Sequence, residues 1–200
     1  MSHARAVFVA IAGTVAFAVS GCAGTSTPPQ KTTPEASSTS GAPSTAASPA
    51  ASPAAELTKP GTRLRVGERA ILPSRDATIG VTVTAIKKGD RRAFVNRFGA
   101  RAKGIVPYFI RYSVENVDGS DLSFRSAPYV TPITATGGST GAVVSGSMDG
   151  CERQSAPRNF TKVGATFTTC RLTGARAGVK ITGVKFTDDD YRDDPVVWKR

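Results

Sequence analysis

The sequence predicts an all-β fold, two antiparallel sheets packed as a sandwich, for residues 57–200. Three observations carry this: apolar and polar residues alternate over several short runs, turn-forming residues separate the runs, and helix signals are scarce. Seven to nine short strands at such spacing fit a sandwich better than any mixed fold.

Residues 1–21 read as an export signal. His3 and Arg5 give a weakly basic start, and residues 6–18 form an apolar run broken only by Gly13 and Thr14. A permanent span needs about 20 apolar residues, so this run fits a cleaved signal. Val19, Ser20, Gly21 and Cys22 follow it in the order of a bacterial lipoprotein signal. Lipidation is therefore expected at Cys22, as a diacylglycerol thioether with palmitate-type chains. The mature protein would be tethered on the outer face of the cell membrane.

Residues 22–56 are almost entirely Ser, Thr, Pro, Ala and Gly. Such a stretch lacks the apolar bulk for a core and reads as a disordered tether. Its hydroxyls fit either a bare linker or a glycosylated stalk.

In the expected domain, 63–72 is a first strand. Residues 78–86 form a second, with Ile79, Val81, Val83 and Ala85 alternating with Gly80, Thr82 and Thr84. The strongest is 106–117: Tyr108, Ile110, Tyr112 and Val114 face one way, and Phe109, Arg111, Ser113 and Glu115 the other. Asp118 and Gly119 mark a turn. Further short β segments are expected at 122–124, 129–134, 141–145, 165–172 and 179–186, with 196–198 as an edge strand.

The glycine-bounded stretch from Gly61 to Gly67, a Thr/Val strand, a long loop and then the run from Tyr108 to Asn116 resemble the immunoglobulin-like sandwich domains of small bacterial lipoproteins. These include a family of unknown function and the mycobacterial secreted immunoprotective antigen fold. The resemblance implies an immunoglobulin-like topology and lends no activity. The chain departs from antibody domains, because no Trp lies between Cys151 and Cys170.

Composition bounds the chemistry. The net charge of +11 lies almost wholly in the expected domain. In an exported protein its counterparts are anionic lipids, wall polymers or surface polysaccharides rather than nucleic acid. The only histidine, His3, is in the signal. That excludes Ser-His-Asp and Cys-His nucleophilic sites and most transition-metal sites from the mature chain. No enzyme activity, cofactor or metal is expected. Of three cysteines, Cys22 goes to lipid, and an oxidising compartment would pair Cys151 with Cys170. Two free redox thiols are the alternative, but they lack Cys-x-x-Cys spacing.

The candidate binding patch is the connection carrying Lys87, Lys88, Arg91, Arg92, Arg97, Arg101 and Lys103, opposed only by Asp90 and interleaved with Phe94, Val95 and Phe98. Cations among aromatics fit a polyanion or an anionic membrane. The competing reading, given more weight, is a long loop whose Phe side chains plug one end of the sandwich while its charges are solvated. Asp188, Asp189, Asp190, Asp193 and Asp194 lack EF-hand order and read as a solvated loop. Gly137, Gly138 and Gly141 lack the following Lys-Ser/Thr of a phosphate cradle.

The expected function is a non-enzymatic, lipid-anchored binding or scaffolding module, monomeric, meeting an envelope protein or anionic polymer. The alternatives are a small-ligand-binding protein and a histidine-free, carboxylate-based hydrolase, for which Tyr129 and Glu152 are the nearest cleft candidates.

Overall fold

The computed structural model describes residues 55–200. The signal, the Cys22 lipidation site and nearly all of the linker lie outside the described residues. Eight strands follow in order: β1 (Arg63–Arg65), β2 (Arg69–Ser74), β3 (Ala77–Lys88), β4 (Ile105–Asn116), β5 (Thr131–Ile133), β6 (Thr166–Arg176), β7 (Gly183–Phe186) and β8 (Val196–Lys199). One helix, α1 (Arg91–Phe98), lies between β3 and β4. Single 3-10 turns occupy Ala100–Ala102 and Asp189–Tyr191.

The strands form two four-stranded sheets, ordered β1-β8-β7-β5 and β2-β3-β4-β6. All neighbours are antiparallel except β1 and β8, which run parallel with Leu64 opposite Trp198. The chain is thus the immunoglobulin-like two-sheet sandwich expected, with one parallel pair added. Residues 63–72, expected as one strand, divide between the sheets, because the chain turns at Gly67, which has a φ of 103°. β8 is interior rather than an edge strand, and its Trp198 is fully buried, donating from Nε1 to the Glu68 carbonyl at 3.0 Å.

β4 keeps the predicted alternation: Tyr108, Ile110, Tyr112 and Val114 all enter the core between the sheets. β3 keeps it only as far as Val83. A bulge puts Thr84 out of the ladder, so Ala85 pairs with Arg111 on the outer side and Ile86 turns inward opposite Ile110. One extra residue reverses the facing of everything after it. Residues 122–124 and 141–145 carry no strand, and 179–186 shortens to β7.

Candidate functional site

The basic connection contains a helix rather than an open loop. Asp90 caps it, its Oδ1 accepting from the Ala93 amide at 2.6 Å, and no Gly or Pro interrupts the chain until Gly99. Gly99, with a φ of 77°, ends it by donating its N–H to the Val95 carbonyl at 2.8 Å. Phe94 is buried, and Val95 and Phe98 are half-buried beside it; the two Phe rings lie 4.7 Å apart.

These residues do not plug an end of the sandwich. They pack on the outer face of the β2-β3-β4-β6 sheet against Phe109 and Leu172, in a small apolar cluster separate from the main core. Cys151 and Cys170 form a disulfide inside that cluster, with Cα atoms 4.9 Å apart. It pins the 148–152 turn to the outer face of β6 and does not bridge the sheets.

Burying one face of α1 leaves the other to water. Lys87, Lys88, Arg91, Arg92, Arg97, Arg101 and Lys103 are all exposed. Among the described residues the ion pairs are Arg69 with Glu115 at 2.9 Å and Arg125 with Asp76 at 3.6 Å, so none involves these seven. Asp90 is occupied by its capping bond. All seven predicted cations are therefore exposed along the 87–103 segment without a carboxylate ion pair.

The aspartates between 188 and 194 are organised by Tyr191 instead. Its buried ring packs edge-on to Phe186 at 5.4 Å, and its hydroxyl donates to the Thr58 carbonyl at 2.7 Å. Burial, and then the neighbouring charge of Asp189, pushes the Asp188 carboxyl above its usual range. Among the described residues, no three of His, Cys, Asp or Glu converge to hold a metal ion.

A second site was not anticipated. A cleft of about 510 Å³ runs along the free edge of β6, floored by Arg171, Leu172 and Thr173 and faced by Thr131 and Ile133 from the opposite sheet and by Tyr129 just before them. The 137–146 segment, Arg153 and Lys185 complete its wall. The guanidinium carbon of Arg171 lies 3.4 Å from the centre of the Tyr129 ring. Both Arg153 and Arg171 act on the buried phenol of Tyr112: burial raises its pKa, and the two positive charges partly oppose that. No Asp or Glu lines the cleft. Glu152 is absent from the lining and accepts instead from the Gly150 amide at 2.9 Å.

The signal that could have found this cleft is the inward face of β6. Positions opposite Tyr112, Ile110 and Tyr108 should be apolar, and they are Thr169, Arg171 and Thr173.

Fold and sites together define a two-sheet immunoglobulin-like sandwich with a run of exposed cations at 87–103 and a cleft lined by Arg153, Arg171 and Lys185. No protein-family model and no curated protein matches the chain. A solved structure similar to it is MPT63, a secreted protein from Mycobacterium tuberculosis, at 12% identity and a TM-score of 0.43, covering 69% of this chain and 96% of that one. Among the described residues no helix is long and apolar enough to cross a membrane.

Proposed function

We propose that the protein is a non-enzymatic, extracytoplasmic binding module, lipid-anchored at Cys22, whose α1 surface engages an anionic envelope polymer or anionic lipid head groups. The observation that carries this is the set of seven exposed cations around α1 with no carboxylate partner. A face kept free of counter-charge attracts polyanions over a Debye length of about 8 Å at physiological ionic strength. The absence of carboxylates from the β6 cleft favours a binder over a carboxylate-based hydrolase, which needs an acid and a base flanking one bond.

The test is binding to anionic and zwitterionic vesicles and to purified wall polymer across a salt series. Binding should favour the anionic surfaces and weaken steeply with salt. Changing Arg91, Arg92, Arg97 and Arg101 together to Gln should remove most of it while the fold persists, since all four side chains are exposed. Unchanged binding in that variant refutes the α1 surface. Cys22→Ala should release the protein from the membrane fraction, and full retention refutes the anchor.

A further inference from the structure

We propose that the cleft along β6 binds a small acidic saccharide, about two rings in size, with its carboxylate or phosphate held by Arg171, Arg153 and Lys185. This site shares Val144, Cys170 and Leu172 with the cluster beneath α1, but its cations are different ones and it does not rest on that reading.

The first argument is the sequence of the strand itself. A core-facing strand position normally carries an apolar side chain, yet Arg171 and Thr173 stand inward on β6 and line the cleft. Thr169, the third such position, is satisfied within the protein: its hydroxyl donates to the Gln154 carbonyl at 3.1 Å and accepts from the Gln154 amide at 2.9 Å. Arg171 is not. Its Nε is buried and has no acceptor in the protein, although buried donors are nearly always paired. An arginine seated over an aromatic ring combines stacking with the geometry that pairs with anions.

The second argument is charge. Three cations line the cleft and no carboxylate does, so a bound anion meets no repulsion from the walls. The backbone adds a donor. The amides of Cys170 and Arg176 turn to the free side of β6, where they meet the carbonyls of Glu152 and Thr140 at 3.3 and 3.1 Å. Residues two apart in an antiparallel strand turn the same way, so the Leu172 amide faces the cleft between those two closures.

The third argument concerns shape. A volume of about 510 Å³ is in the range of small-molecule sites, at about 300–1,000 Å³. Tyr129, 47% exposed, and Val143, 91% exposed, are large apolar side chains turned to water in the lining. Hydroxyls of Thr131, Ser139, Ser145 and Thr173 stand around them. An aromatic face, a ring of hydroxyls and a cationic floor match the apolar face, the hydroxyls and the charge of an acidic sugar.

The experiment titrates the protein with four probes, read by amide NMR shifts and calorimetry: a disaccharide containing uronic acid, a neutral disaccharide, its phosphate ester, and an acidic tripeptide. At least one acidic sugar should bind, shifting the amides of Tyr129, Leu172 and Lys185, with the neutral disaccharide at least tenfold weaker. Whether uronate or phosphate ester binds tells which anion is taken, and either supports the site. Arg153→Gln and Lys185→Gln should each weaken binding about tenfold with Trp198 emission unchanged, while the four-arginine α1 variant should bind as the parent does. The proposal is overturned if no acidic sugar binds, if the neutral sugar binds equally, if only the tripeptide binds, or if neither cleft substitution affects affinity. Arg153 is exposed, so its variant keeps the test valid should Lys185→Gln unfold.

Discussion

Removing the disulfide should loosen the α1 layer before it loosens the sandwich. Cys151 and Cys170 are 19 residues apart, so the bond closes a loop of about 20 residues in the unfolded chain. Chain-entropy reasoning then gives an entropy difference of about 11 cal/mol/K, or about 3 kcal/mol at 25 °C. For a domain of this size the melting temperature should fall by roughly 10 °C. The location adds a sharper expectation. Both sulfurs sit with Phe94, Met148 and Leu172 on the outer face of β6, while Trp198 is buried in the core between the sheets. In a Cys151→Ala/Cys170→Ala variant at 25 °C, amide exchange should quicken at 91–102 and 147–152. The emission of Trp198, the sole tryptophan, should hardly change. Urea melts followed by that emission give the stability difference. A loss under about 1 kcal/mol, or Trp198 exposed before the α1 amides open, would refute the separation of the two clusters.

Asn116 is fully buried and holds the turn after β4: its Nδ2 donates to the Ser120 and Phe160 carbonyls at 2.8 and 3.1 Å, and its Oδ1 accepts from the Gly119 amide at 2.8 Å. Asn116→Ala should cost about 2–4 kcal/mol in a urea melt, because partners are left unsatisfied as well as bonds lost. Tyr112 and Tyr191 both have pKa values raised, chiefly by burial, with the Arg153 and Arg171 charges opposing at Tyr112 and the Asp190 charge assisting at Tyr191. A raised phenol favours the folded state while protonated. Their contribution is therefore complete below the unfolded tyrosine value of about 10 and is lost as pH climbs through the folded values. Alkaline melts should show this fall, and Tyr112→Phe/Tyr191→Phe should flatten it.

β4 was legible because its own alternation is strict from Tyr108 to Val114 and runs unbroken past the bulge in its neighbour β3. β8 was misplaced because periodicity fixes which side of a strand is apolar but not its rank in a sheet. A short apolar run near Trp198 fits an edge or a centre equally well. The helix had a local signal in Asp90 followed by Phe94, Val95 and Phe98, spaced for one helical face. The surrounding cations obscured it, since arginines in the first turn oppose the helix dipole. The Thr84 bulge left no mark in composition. The β6 cleft was legible only in part: Arg171 and Thr173 break the apolar pattern, but Tyr129, Arg153 and Lys185 reach it from separate segments that meet only once the sheet order is known.

The parallel pairing of β1 with β8 has a kinetic consequence. A chain made or threaded from its N-terminal side can complete the β2-β3-β4-β6 sheet while β8 is still missing. Until then β1 has no neighbour, and β7 has only β5. The half-built molecule therefore displays the apolar face that Trp198 will later cover, together with unpaired backbone, which is the stage at which proteases and self-association act. Joining Leu64 to Trp198 spans nearly the whole domain, so this closure is slow by topology alone. The arrival of β8 decides how long the chain remains in that vulnerable form.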